Sequence, residues 1–441
     1  MKAAPSQRCA GAALLCLSVF VAECCFFVAI LIKYFLLHLQ FVILCLPLWQ
    51  NTLTADGNKK HFIMKKPILV CGMALTAMSV FAQQRAVPTE AEMGAYIMVY
   101  HKDCDHSLHM ALSYDSYNWT SLNDDKPVIS GDTIAVQKGI RDPHIFRGPD
   151  GGFYLAMTDL HIFAQREAAD RAGYKEAPAY RTTEWERDGK LYGWGNNRGL
   201  VLMKSFDLIH WTRTNLDFSA LTCPTGITDI HGVPVPWSEV GCVWAPETVY
   251  DYEAGHLLVH FTIRMKTGAN MIYYVYMNDD FTQMLSEPKL LFEAPHDANG
   301  VPRYTVIDSD IIKVGDTYHL FYVSHEHTAT VKHATSRNVT GPYIQDDLYN
   351  DGEKQGHEAP NCWKRLGQQK WVIMFDNYSR RPHNFGFVET TDFKTFQMIG
   401  YFDQEGSPMK RANFAEQKHA AVAPLTVKEA KALEKYWKKK K

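Results

Sequence analysis

From residue 96 onward the hydrophobic positions fall in short runs, in which β-branched and aromatic residues alternate or cluster and each run stops at Gly, Asp or Asn. This pattern predicts antiparallel strands joined by tight turns; helices would repeat their apolar positions every three or four residues. The runs recur in one order: an inner strand bearing an acid or a His, an aromatic strand, then a third strand ending in an Asp- or Asn-rich turn. One copy comprises residues 141–146, 153–157 and 199–203, followed by Ser205-Phe206-Asp207 and Trp211. The second comprises 243–249, 256–263 and 271–276 before Asn278-Asp279-Asp280, and the third 306–311, 317–322 and 330–335 before Asn338. The fourth comprises 357–363, 370–375 and 384–390 before Asp392 and Phe396.

A fifth copy has to be assembled from both ends of the array. Residues 96–101 and 109–112, then Ser113-Tyr114-Asp115 with Trp119, repeat the outer strands but lack an inner one. Residues 414–425 supply an inner strand without followers. Joining them closes a ring and leaves no open sheet edge between first and last elements. The fold expected is therefore all-β, a five-bladed β-propeller whose last blade is closed by N-terminal strands plus a C-terminal strand, forming one domain over residues 83–441.

The first eighty residues read differently. Met64-Lys65-Lys66, the apolar run 67–80 and the small residues before Gln83 have the layout of a signal peptide over 64–82, with cleavage after Ala82. Residues 1–63, with an apolar stretch interrupted by Glu23, Lys33, His38 and Gln40, read as an over-extended start outside the fold; retained, they would form a membrane anchor. Beyond Ala82 only Cys104, Cys223, Cys242 and Cys362 are left, spaced for at most two disulfides or for four unpaired thiols, and no CxxC pair suggests zinc. Acidic and basic residues nearly cancel, 48 against 46, which argues against a nucleic-acid partner and suits a neutral ligand. Two segments fall outside the repeat: a polar insertion at about 160–198, either surface excursion or pocket wall, and a tail 426–437 of helical composition, expected as a frayed cap.

Inner strands of a propeller converge on its axis, so acids at matching positions of different blades meet despite wide separation in sequence. Asp142, Glu247, Asp308 and Glu358 all fall on inner strands. A lone acid at a strand start most often serves a turn amide; repetition at matching positions favours a shared site. Asp142 precedes Pro143 and Glu358 precedes Ala359-Pro360, which marks each strand's entrance because proline cannot donate to the ladder. Asp308 lies between Ile307 and Ile311, where an unpaired carboxylate is costly. Paired carboxyls in unlike settings are what glycosidic bond cleavage needs.

The series Arg141-Asp142-Pro143, Trp244-Ala245-Pro246-Glu247, Ile307-Asp308 and Glu358-Ala359-Pro360, with His419 in the closing strand, resembles glycoside hydrolase family 43 along essentially the whole mature chain. The resemblance implies an inverting glycosidase with Asp142 as general base, Asp308 tuning the acid's pKa and orienting it, and Glu358 as general acid. Asp310 is a rival for the tuning role. On this scheme the two working carboxyls stand roughly 6.5–9.5 Å apart, and Glu358 is raised by burial and by Asp308 beside it. Two departures from the family pattern are Ala359, where Gly commonly follows the acid, and the insertion in the first blade. Trp244 is a candidate wall for a sugar ring or plain core; Glu247 either accepts sugar hydroxyls or pairs with an Arg. His419, counted with Trp244 and Glu247 as substrate-binding, either matches a central His that in relatives touches an axial calcium or water or is a satisfied buried histidine; no cofactor is required and the metal expectation is none beyond a structural calcium on the axis.

The function expected is a monomeric hydrolase, secreted or held in the periplasm or at the cell surface of a bacterium. It would remove terminal α-L-arabinofuranosyl or β-xylosyl units from oligo- or polysaccharide, with no membrane partner unless the N-terminal apolar segment is retained. Competing readings are a β-galactan-active enzyme, a retaining fructosidase-like propeller, for which Asp103 is a poor nucleophile, and a non-catalytic carbohydrate-binding propeller.

Overall fold

The computed structural model describes residues 87–162, 195–229, 231–266, 268–349 and 356–440. The stretches read as over-extended start (1–63) and signal peptide (64–82) lie outside them, as does 163–194, most of the expected insertion. Strand β1 is Met93–His101, β2 Leu108–Ser113 and β3 Asn118–Ser121. Blade 1 follows as β4 (Ile140–Arg147), β5 (Phe153–Asp159), β6 (Gly199–Ser205) and β7 (Thr212–Asp217). Blade 2 holds β8 (Val240–Asp251), β9 (His256–Met265), β10 (Met271–Met277) and β11 (Lys289–Phe292). Blade 3 holds β12 (Val306–Val314), β13 (Thr317–Ser324), β14 (Thr330–Ser336) and β15 (Ile344–Tyr349). Blade 4 holds β16 (His357–Lys364), β17 (Trp371–Asn377), β18 (Asn384–Thr390) and β19 (Gln397–Tyr401). Last come β20 (Lys410–Ala412), β21 (Lys418–Thr426) and the helix α1 (Val427–Lys439).

The protein is a five-bladed β-propeller closed as the repeat requires: β21 pairs antiparallel with β1, so blade 5 is ordered β20-β3-β2-β1-β21. The inner strands β4, β8, β12, β16 and β21 each pack against the next, and β21 returns to β4. Each blade has a fourth, outer strand that the short outer runs did not announce, and β20 adds to blade 5 in parallel.

The core lies between the blades. Along β5, Phe153, Leu155 and Met157 join blade 5 residues such as Ile97 and Val99, while Tyr154 and Ala156 meet Val259 and Phe261 of blade 2. Burial of both sheet faces explains why the second strands read as unbroken apolar runs, not as clean alternation. The turn between third and outer strands recurs too. The hydroxyls of Ser113, Ser205 and Thr390 accept from the amides of Ser116, Leu208 and Phe393, and Asp115, Asp207 and Asp392 accept the next amides.

Helix α1 is not frayed. A capping box between Thr426 and Glu429 starts it, Ala430, Leu433 and Trp437 are buried, and Arg147 holds Glu429 through two bonds of 2.9 Å. None of the four described cysteines forms a disulfide, which decides between the two alternatives.

Candidate active site

The site is built on a backbone defect repeated in all five inner strands. In β4, Asp142 and Pro143 are squeezed opposite the single residue between Thr158 and Ala156 of β5. The same two-against-one step occurs at Ala245-Pro246, Asp308-Ser309, Ala359-Pro360 and His419-Ala420. The first residue of each bulge is left-handed, with φ of 49° at Asp142, 45° at Ala245, 49° at Asp308, 57° at Ala359 and 38° at His419. Such a conformation costs a non-glycine residue about 1–2 kcal/mol, and a bulge re-aims the side chain that carries it.

A second repeat holds the bulges in place. Each bulge amide needs an acceptor once it leaves the ladder, and the neighbouring blade supplies one. Thr158 Oγ1 accepts from Ala245 N (2.9 Å), Thr262 Oγ1 from Asp308 N (3.0 Å), Asp376 Oδ2 from His419 N (3.4 Å) and His101 Nδ1 from Asp142 N (3.2 Å). These acceptors occupy equivalent second-strand positions, opposite Arg141, Trp244, Glu358 and Lys418. Blade 3 breaks the series because Val323 stands opposite Ile307 and cannot accept. Asp308 takes over: its own Oδ2 receives Ala359 N at 3.2 Å.

The structure thereby brings Asp142, Asp308, Glu358 and His419 together. Asp142 Oδ2 accepts from Thr158 Oγ1 at 2.7 Å and its Oδ1 lies 3.2 Å from His419 Nδ1. Glu358, the most open of the three acids with its side chain 24 % exposed, has Oε1 3.1 Å from Lys418 Nζ. Lys418 is also 3.9 Å from the fully buried Asp376, and Arg141 pairs with Asp103.

These contacts decide the protonation. Burial alone would raise Asp142, but His419 and Arg141 outweigh it and hold the carboxyl well below its ordinary range. Burial, opposed by His419 and aided by Glu358 and Asp142, pushes Asp308 up to about 7. Glu358 departs from the expectation. Burial acts to raise it, yet Lys418, His419 and Arg141 together keep it below its ordinary value. In the free site Asp308 and Asp376, which burial likewise lifts to about 7, bind a proton more readily than Asp142 or Glu358.

Two residues further along each inner strand lies another ring with different work. His144 Nδ1 accepts from Thr248 N (3.2 Å), Asp310 Oδ2 from Cys362 N (2.5 Å) and Asn361 Oδ1 from Val422 N (3.0 Å), so each side chain staples one inner strand to the next. Glu247 is the blade 2 member of this ring. It is 2 % exposed, bonded to Asp310 and 3.6 Å from His144 Nε2. The structure thus sets Glu247 apart from Asp142 and Glu358, and Asp310 apart from Asp308, because the bulge interrupts the two-residue alternation that would align them.

His144, Glu247 and Asp310 offer three ligand atoms within 4.8 Å of one another, so a calcium held there would take the rest of its six to eight ligands from water. The Thr248 amide on Nδ1 leaves the His144 proton on Nε2, facing Glu247. Beside His419, Asp142 is already matched by the imidazole and Glu358 by Lys418.

A family model described as a probable glycosyl hydrolase domain, of the family 43-related group, matches residues 91–431. The chain belongs to glycoside hydrolase family 43. This glycosidase is 24 % identical over 221 residues to an α-L-arabinofuranosidase of Bifidobacterium longum subsp. longum. That match covers 47 % of the glycosidase and only 17 % of the relative's length. Among solved structures it is similar to an endo-1,4-β-xylanase of Bacteroides thetaiotaomicron VPI-5482, with 14 % identity, TM-score 0.45, and 70 % and 91 % of the two chains covered. An endo-arabinase of the same organism gives 16 %, 0.43, and 73 % and 93 %. At these scores the overlaps carry no argument about substrate.

Of the other expected residues, Trp244 is half-buried at the position preceding its bulge, the same place as Arg141, Ile307, Glu358 and Lys418. Its indole N–H donates to Gly195 O at 2.8 Å, it packs on Leu160 and Ile162, and the Arg264 guanidinium stands 5.4 Å over its ring. Lys418, Asp376, Thr158 and His101 are site residues of the glycosidase that motif reading missed. Lys418 was within reach, since aligning His419 with Asp142 and Ala359 puts Lys418 opposite in kind to Glu358 at one position. The second-strand acceptors left no such signal, being Thr, Thr, Asp and His.

Proposed function

We propose that this family 43 enzyme is an inverting, exo-acting glycosidase that removes terminal α-L-arabinofuranosyl or β-xylosyl units from plant polysaccharide outside the cytoplasm. The observation that carries the reading is the meeting of three bulge-borne or bulge-flanking carboxyls, Asp142, Asp308 and Glu358, in three different electrostatic settings. Asp142, ionised and gripped by Thr158 and His419, is suited to take a proton from water on one face of the sugar. Glu358, the most exposed acid, is suited to deliver one to the leaving oxygen, and Asp308, locked by the Ala359 amide, holds a proton within the same cluster.

An inverting scheme also suits Asp103. The nucleophile that a retaining fructosidase-like mechanism would require is engaged by Arg141 and stands outside the carboxyl trio. His325 and His383 each keep an Nδ1 without a partner among the described residues, and both lie within electrostatic reach of Glu358. They are suited to sugar hydroxyls. Lys418, His419 and Arg141 supply the positive charge the cluster needs, so the chemistry calls for no metal.

Nitrophenyl α-L-arabinofuranoside, β-xyloside and β-galactoside test the reading. Hydrolysis of a pentoside is expected, with product anomers of inverted configuration by NMR at early times and a rate unchanged by dialysis against a chelator. Net retention would remove the mechanism, and a preference for the galactoside would remove the substrate class.

A further inference from the structure

The general acid proposed for this enzyme faces a buried lysine that the scheme of base, acid and tuner leaves without a task. Lys418 immediately precedes the bulge of β21, so its backbone direction is set by the left-handed His419 beside it. Its side chain is 8 % exposed, and its Nζ lies 3.1 Å from Glu358 Oε1 and 3.9 Å from Asp376 Oδ2. Asp376 is itself held, because its Oδ2 accepts the His419 amide. A lysine held between two carboxyls, one immobile and one at the mouth, is oriented by the first to act on the second.

We propose that Lys418 is a positioning residue for the general acid: it orients Glu358 Oε1 and, by its charge, sets the pH range over which Glu358 carries the proton that the leaving oxygen needs. The inference deepens the proposed function and rests on Glu358 being the acid. Among the described residues Lys418 is the closest counter-charge to Glu358. Glu358 also interacts, among the described residues, with His419 from β21, Arg141 from β4, Asp308 from β12, Asp376 and Tyr378 from β17 and the turn after it, and with His325 and His383. Arg141 is already paired with Asp103 and His419 with Asp142, whereas Lys418 makes its shortest contact with Glu358.

A cation at this distance stabilises the carboxylate and depresses its protonation. The sign for catalysis follows. The acid must be protonated, so the alkaline limb of kcat/KM falls where Glu358 loses its proton. Removing the positive charge raises that midpoint and moves the limb to higher pH.

The test is Lys418→Met against Lys418→Arg. In [13Cδ]Glu-labelled full-length enzyme, with Glu358→Gln used for assignment, the Glu358 carboxyl midpoint is expected to rise by at least one pH unit in Lys418→Met and to stay near the wild-type value in Lys418→Arg. The alkaline limb of kcat/KM should move by the same amount. An unchanged midpoint in Lys418→Met, or an equal shift in both variants, would overturn the proposal. The carboxyl titration needs no substrate, so failure of every glycoside tried would remove the proposed function and still leave Lys418 tested. If Lys418→Met does not fold, Lys418→Gln, which keeps a donor toward Glu358, replaces it with the same expectation.

Discussion

Two rings of side chains, two residues apart on the same five strands, divide the work of this propeller. The bulge ring and the positions preceding it hold Asp142, Asp308, Glu358, Lys418 and His419, where carboxylates face cations and one acid stays partly open. The next ring holds His144, Glu247, Asp310 and Asn361, where buried groups accept backbone amides from the neighbouring strand or share a proton. Both rings are rich in acids, so acidity does not separate a reactive site from a structural one. What separates them is the partner. Asp142 and Glu358 in the bulge ring are answered by cations, the acids of the next ring by an amide or by each other, and Asp308, which takes the Ala359 amide from within the bulge ring, stands between the two kinds.

The sharpest way to break this comparison is to remove charge from each ring in turn. Asp142→Asn should lower kcat/KM on the preferred pentoside by about 10²–10⁴-fold. Glu358→Gln should do the same on natural linkages and much less on a dinitrophenyl glycoside, whose leaving group needs no proton. Neither change should move the melting temperature appreciably, as neither acid carries a strand-to-strand staple. Loss of folding in Asp142→Asn with normal kinetics in the residue that folds would erase the distinction.

The structural ring predicts the reverse. Asp310→Ala leaves the Cys362 amide buried without an acceptor, which costs about 1–3 kcal/mol, and denaturant unfolding should show it with kcat nearly unchanged. Its pH dependence has a definite sign. Burial raises the Asp310 carboxyl from 3.8 to about 6, so the folded state binds this proton more tightly than the unfolded one. The stability it contributes is complete below pH 3.8 and is lost as pH rises through about 6, at about 1.4 kcal/mol for each unit of the shift. Asp310→Asn, neutral throughout, should flatten that part of the stability curve; an unaltered slope would place the proton elsewhere.

The fold was legible because its repeat is carried by hydrophobic runs that both sheet faces demand, and because strands at residues 96–101 and 414–425 each lacked what the other had. The three carboxyls were legible through the short motifs around them. Glu247 illustrates where reading stops. Period-two logic allows it to align with Asp308 or with Asp310, a difference of two residues of register, and the bulge at Ala245-Pro246 that decides the matter follows from left-handed backbone, which no side chain in that motif announces. Asp376 was invisible for a related reason: its task is to cap an amide that exists only because the next blade is bulged.

Ala359 carries the smallest and most local prediction. Its φ of 57° is one that glycine adopts freely and alanine does not. Ala359→Gly removes the left-handed penalty of about 1–2 kcal/mol but adds unfolded-chain entropy worth about 0.4–1 kcal/mol, so the net gain should lie within about 0–1.6 kcal/mol. The amide that holds Asp308 is retained in the variant, so kcat/KM and its pH profile should be unchanged while the denaturation midpoint rises slightly. A fall in stability would mean that the methyl group, 1 % exposed among its neighbours, contributes more by packing than the bulge costs by strain. The bulge ring would then be held by packing at blade 4, as the staple ring is held by hydrogen bonds, and the contrast between the two rings would rest on the charged blades alone.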